Sequence, residues 1–314
     1  MIQKQQSPLT PDEYKTFLRH DFSTFIERSF IELNPTTPFL PNWHIELIAS
    51  ELEACRRGQT TRLIINVPPR SLKSHCASIA FPAWLLGHNP SAQIICCSYA
   101  QDLANKLALD CRSLLHSDWY QQLFPTRLST ERQAVPEFHT TTKGVRLATS
   151  VGGVLTGRGA DFLIIDDPLK PDEALSEAQR TAANEWFDHT LYSRLNCKRT
   201  GVIIVIMQRL HEDDLTGHLL EKNSLEREGL YQGTSLLVPD PSSLGSSRDE
   251  KGSIPDCRRP ARSSRFSSEA PFNNTWKLLR LPAIAVEDEH HTSQSVMGLR
   301  TFTRRAGRPR VQRR

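Results

Sequence analysis

Between residues 61 and 221 the chain alternates short, nearly continuous apolar runs with stretches whose apolar residues recur at helical spacing. The runs fall at 63–67, 93–98, 162–165 and 201–207, and helical patterns such as 103–115 and 177–195 lie between them. Strands apolar on both sides and separated by helices predict a parallel sheet covered on both faces. A hairpin-like piece at 143–149 precedes the third run. Upstream, Thr10 can cap a helix, Pro11 suits its first position and Glu13 can close a capping box. Tyr14, Phe17, Leu18, Phe22, Phe25 and Ile26 then continue at helical spacing.

Past residue 222 the pattern fades. Residues 240–274 are rich in Ser, Pro and Arg with hardly any large apolar side chain, a composition that predicts disorder because too little surface is available to bury. An apolar island at 276–285 and an acidic and histidine run at 287–291 follow. The chain thus divides into an N-terminal helical segment (1–60), an α/β core (61–221), a disordered insert (222–275), and a linker remnant with a basic tail (276–314). No internal repeat is visible.

Composition narrows the classes. The 314 residues are 38% hydrophobic, enough for a sizeable core. The longest apolar run, 202–207, is far short of the roughly 20 residues that span a bilayer, and the N-terminus carries no signal-peptide pattern. A protein that stays in the cytoplasm, without membrane association, is expected. The seven cysteines form no CxxC pair and no metal-ligand spacing, which reads as buried reduced thiols. The net charge of +4 conceals seven arginines and no acid within residues 297–314, so the body is slightly acidic and the tail is a basic arm able to bind phosphates without sequence preference.

The stretch 64–74, "IINVPPRSLKS", carries the first candidate chemistry. In a standard phosphate loop, GxxxxGK[ST], the glycines would fall on Val67 and Leu72. What remains is a β-branched strand, a turn-forming Pro68-Pro69, and Lys73-Ser74 opening a helix whose first turn has N–H groups free for an anion. Lys73 is placed to reach β- and γ-phosphates, Ser74 to bind Mg²⁺, and Arg70 adds a second cation. Without glycine the loop takes its shape from proline stiffness or from a strained Leu72. The alternative is an ordinary strand followed by a polar helix start.

A second motif, 160–168, ends an apolar strand in Asp166-Asp167-Pro168. One carboxylate at the tip of a buried strand can hold Mg²⁺ and its neighbour can orient or deprotonate an attacking water. The strand 93–98 falls between the two motifs, as in ATPases with an additional strand between phosphate loop and acidic motif. The alternative is a solvated Asp-Asp turn. A third piece, strand 201–207 ending in Gln208-Arg209, puts polar groups where a γ-phosphate can be sensed, the alternative being a strand end with surface polar residues.

With these pieces in order, the chain resembles the ATPase half of the large terminase subunit of tailed phages, in the prophage branch that reads "PPRSLKS" or "PPRHGKS". The resemblance rests on Asn42-Trp43-His44, "NVPPRSLKS", "FPAWLLGHNPSAQIICCSYAQDLA", "TSVGGVLTGRGADFLIIDDPLKPDEA", "WFDHTLYSRLN" and "GVIIVIMQRLHEDDLTGHL", and resumes at "WKLLRLPAIAVEDE". It implies a P-loop NTPase fold with an additional strand and ATP hydrolysis with Mg²⁺. The partners it implies are double-stranded DNA, a portal protein, a small terminase subunit and neighbouring copies in a ring.

By position it implies that Arg70, Ser71, Leu72, Lys73 and Ser74 contact the nucleotide, with Trp43 and His44 near the adenine. Ser74 and Asp166 serve the metal, and Gln208 and Arg209 couple hydrolysis to movement. Asp167 stands where large terminases usually have a catalytic glutamate, one methylene longer. Arg158, between Gly157 and Gly159, is a candidate charge stabiliser, the alternative being a basic turn residue. The family's second half is a nuclease that uses clustered carboxylates. The consecutive acids at 287–289 point in different directions, so no nuclease activity is expected. A nucleotide-binding prophage remnant without turnover and another additional-strand DNA-dependent ATPase are the alternatives.

Overall fold

The computed structural model describes residues 10–233 and 275–281. Helix α1 (Pro11–His20) starts as its sequence dictates: Thr10 accepts from Glu13 N–H and the Glu13 carboxylate returns to Thr10 N–H. The helical spacing at 14–26 is, however, two helices rather than one. Asp21 leaves the helical conformation, ends α1 and caps α2 (Phe22–Leu33) by accepting from Thr24 N–H at 2.8 Å. The break turns Phe22, Phe25 and Ile26 into the core and leaves Tyr14 and Phe17 exposed.

Helix α3 (Trp43–Arg56) leads into β1 (Arg62–Asn66). After the loop at 67–72 the helix opens with a wide π-type segment (His75–Ala80) and continues as α4 (Phe81–His88). Pro82 has no N–H to give, which removes one α-helical bond at this junction. Then follow β2 (Gln93–Ser98), α5 (Gln101–His116), α6 (Asp118–Leu123), β3 (Leu128–Gln133), β4 (Glu137–Thr140), β5 (Val145–Ser150) and β6 (Phe162–Asp166). The last elements are α7 (Glu177–Trp186), β7 (Val202–Met207), α8 (Leu215–Gly233) and β8 (Lys277–Arg280).

The strands form one sheet in the order β3-β4-β5-β2-β6-β7-β1-β8, parallel from β5 to β8 and antiparallel only where β4 meets β5 and β3 meets β4. One face is covered by the α2–α5 layer around Trp84, Phe22, Phe25 and Phe81. The other carries Leu163, Ile165, Ile203 and Val205 against Phe187, Leu191, Leu215 and Leu219. This is the α/β architecture expected, a mostly parallel sheet covered by helices on both faces. The strand that separates β1 from β6 in space, however, is β7; the 93–98 strand lies on the far side of β6.

The span 143–149 holds only a turn, with Lys143 at φ 70°, and β5; its antiparallel partner β4 lies upstream of that span. At the far edge, α8 runs on to Gly233, past the core boundary drawn at 221, and β8 extends the sheet from within the span read as linker. Residues 234–274 and 282–314, which include most of the predicted insert, the 287–291 run and the arginine tail, lie outside the described residues. Cys55, Cys76, Cys96, Cys97 and Cys111 are buried free thiols. Among the described residues no helix is long and apolar enough to cross a membrane.

Candidate nucleotide-binding site

Parallel strands deliver their C-terminal ends to one edge of the sheet, and three adjacent strands, β6, β7 and β1, end there in the predicted motifs. The loop leaving β1 is shaped without glycine by placing two L-residues in the left-handed region, Arg70 at φ 64° and Leu72 at φ 56°. Each costs roughly 1–2 kcal/mol relative to ordinary backbone. Leu72 recovers part of this by packing against the core, whereas Arg70 is exposed. The loop therefore holds its curvature as strain, as functional loops often do.

Lys73 and Ser74 follow at the helix start. The Lys73 ammonium is buried, 3.1 Å from Asp166 Oδ1 and in contact with Asp167 Oδ2. Burial works against its charge, but Asp166 and Asp167 outweigh it and hold the lysine pKa above its usual value. The Ser74 hydroxyl donates to the same Asp166 Oδ1 at 3.1 Å. Asp166 Oδ2 accepts from Ser78 at 2.8 Å, a residue the sequence reading did not single out. The available signal was helical spacing, since Ser78 lies one turn beyond Ser74.

Asp167 is held on both sides: its N–H donates to Ile206 O and its carbonyl accepts from Tyr99 N–H, each at 3.0 Å. This grip keeps Asp167 at φ 46°, a conformation that Asp tolerates better than most residues. Oδ1 of Asp167 accepts from Gln208 N–H at 3.2 Å, so the tip of β7 touches the second carboxylate directly. Burial pushes the Asp167 pKa above the usual carboxylate value, with Lys73 opposing and Asp166 adding to the rise.

Arg209 faces elsewhere. Its Nε lies 3.0 Å from Asp214 Oδ2 and its Nη2 donates to the carbonyls of His211 and Glu212. Asp214 is fully buried and also accepts from the N–H groups of Leu210 and Gly217, which closes the 208–214 turn onto the start of α8. Gly217 is required there, because a Cβ would sit 1.7 Å from Glu212 O. Thr216 Oγ1 donates to Asn66 Oδ1 at 3.1 Å, tying α8 to the end of β1. Asp214, Thr216 and Asn66 escape sequence reading because their roles exist only through tertiary partners.

On the other side of the loop, Trp43 is 42% exposed at the start of α3, with the His44 ring beside the Ser71 backbone. Burial lowers the His44 pKa, its bond to Ser71 opposing, and its Nε2 has no hydrogen-bond partner. Arg158 is not gathered with these groups. Its Nη1 donates to Glu137 on β4 at 2.6 Å, three strand positions from β6, or about 14 Å at ordinary strand spacing.

The donor set fits a hard divalent cation held in part by phosphate oxygens. Asp166 and Ser74 offer oxygen ligands side by side, and no group of three or more His, Cys, Asp or Glu gathers among the described residues. Mg²⁺ commonly takes only one or two carboxylates and completes its shell with phosphates and water.

The chain is similar in structure to phage large terminases. One solved relative is the HK97 bacteriophage large terminase, with a TM-score of 0.43 and 17% identity, over 67% of this chain and 42% of that one. Another is the large terminase ATPase domain of Thermus phage P74-26, with a TM-score of 0.31 and 16% identity, over 67% of this chain and 92% of that one. A mutant of that domain gives a TM-score of 0.34 at 19% identity, over 57% of this chain and 68% of that one. No family model and no curated protein matches the chain.

Proposed function

We propose that this chain is an ATP-hydrolysing motor domain of the large-terminase type, acting on double-stranded DNA as one copy in a ring on a phage portal, with a small terminase subunit as partner. The observation that carries the proposal is the convergence of Lys73, Ser74, Asp166 and Asp167 at the C-terminal edge of three adjacent parallel strands. A solvated Asp-Asp turn does not account for Asp166 being 1% exposed and engaged by three donors.

In this reading Lys73, Arg70 and the N–H groups after Leu72 bind the phosphates, and Trp43 with His44 flanks the base. Ser74 and Asp166 hold Mg²⁺, which when bound neutralises charge on the β- and γ-oxygens. Asp167, fixed by Gln208 N–H, orients the attacking water and accepts its proton. Loss of the γ-phosphate is felt at Gln208 and passed through the Arg209–Asp214 turn to α8. Arg209 thus couples by locking the turn, leaving Gln208 as the sensor.

The test is steady-state ATP hydrolysis with Mg²⁺, with and without double-stranded DNA, comparing the parent chain with Lys73→Ala. DNA-stimulated turnover abolished by the substitution supports the proposal; absence of turnover from the parent chain overturns it in favour of a nucleotide-binding remnant.

A further inference from the structure

Arg146, the second residue of β5, is 0% exposed, with its Nε and Nη1 lacking any hydrogen-bond partner. A guanidinium is rarely buried so deeply without a carboxylate in contact. Its Nη2 donates to the Ser78 carbonyl at 3.3 Å, and the Cys111 thiol lies alongside. An α-helical donor to that carbonyl would be residue 82, and Pro82 has no N–H, so Arg146 supplies a donor that an α-helical pattern could not. The hydroxyl of Ser78 meanwhile donates to Asp166 Oδ2. One serine therefore stands between a buried cation and the buried carboxylate, its backbone turned to one and its side chain to the other.

We propose that Ser78 and Arg146 are positioning residues that make Asp166 a one-oxygen ligand. Ser78 occupies Oδ2, so that Oδ1, already shared by Lys73 and Ser74, is the oxygen presented to the cation. Arg146 anchors the backbone of Ser78 from the neighbouring layer, so the hydroxyl keeps its aim when Lys73 turns to phosphate. The arrangement favours Mg²⁺, which needs strict octahedral geometry, over Ca²⁺, which accepts bidentate carboxylates. The inference rests on the nucleotide reading above and assigns the selectivity of that same site.

The test uses the full chain and a non-hydrolysable ATP analogue, whose binding is followed while Mg²⁺ or Ca²⁺ is titrated. Ser78→Ala is expected to raise the Mg²⁺ requirement about tenfold or more, as loss of an outer-shell partner does elsewhere, and to move the Ca²⁺ requirement much less. Metal-free binding of the analogue stays as in the parent. Ser78→Thr restores the Mg²⁺ requirement, and Arg146→Lys gives a smaller shift in the same direction. An unchanged Mg²⁺ requirement in Ser78→Ala, or equal shifts for Mg²⁺ and Ca²⁺, overturns the inference while the nucleotide reading stands. A parent chain that shows no metal-dependent binding overturns both. The serine variants decide the matter even where Arg146→Lys fails to fold.

Discussion

Asp214 binds Arg209 from a fully buried position, Oδ2 to Nε at 3.0 Å, and the same carboxylate caps the first turn of α8. Two backbone donors and one cation depend on this one side chain. Asp214→Ala is expected to destabilise the fold by about 3–5 kcal/mol, since it strands a partly buried arginine together with two N–H groups. Chemical denaturation measures this directly. If nucleotide binding survives, hydrolysis should lose its response to DNA, because the turn joining Gln208 to α8 is no longer closed.

The role proposed for Asp167 separates binding from chemistry. Asp167→Asn should retain Mg²⁺-dependent nucleotide binding while turnover falls by about 10²–10⁴, the usual range for a lost general base. Asp167→Glu is a sharper probe. It supplies the longer carboxylate usual in large terminases, but at φ 46° the longer side chain is less well tolerated. A loss of about 1 kcal/mol in stability with turnover no better than the parent is expected, and calorimetry with single-turnover hydrolysis reads both.

Arg70 carries strain and charge in the same residue. Arg70→Gly relieves the left-handed backbone at φ 64°, offset in part by greater freedom of the unfolded chain, for a net gain of up to about 1 kcal/mol. In the proposed site the same change takes away a phosphate-binding cation and should weaken ATP binding about tenfold. A melting temperature that holds or rises as affinity falls would distinguish a functional loop from a merely structural turn.

Acid sensitivity follows from His75. Burial pushes its pKa down to about 4, the Ile26 carbonyl opposing, and Ser29 Oγ lies 3.0 Å from its Nε2. The unfolded chain takes up this proton near 6.5, so the contribution of the neutral ring is whole above that pH and is lost as pH falls toward 4. The full effect is on the order of 3 kcal/mol. Urea unfolding at a series of pH values should show stability falling across this window, and His75→Gln should flatten the slope.

Much of the fold was legible because its central strands are buried on both faces and so read as unbroken apolar runs. Strands β3 and β4 were not, since β3 reads Leu-Ser-Thr-Glu-Arg-Gln and its strand character comes from pairing at the sheet edge. The Asp21 break was hidden because apolar spacing continues across it; only the capping role of the side chain reveals it. At the site, the residues of the linear motifs were legible. Ser78, Asp214, Thr216 and Asn66 were not, because a buried polar residue is defined by partners distant in sequence. The strain expected at Leu72 was legible from the missing glycine, while its counterpart at Arg70 depends on the path the two prolines impose.

The position of β8 sets an order of events. Until residues 277–280 arrive, β1 has a neighbour on one side only, and the strand that leads into the Arg70–Lys73 loop presents a bare row of N–H and C=O groups. A nascent chain can thus have all three site motifs outside the ribosome while the strand beside the loop has yet to be made. Its exposed edge in that interval is a template for pairing with another copy, a hazard that the arrival of β8 removes at this strand.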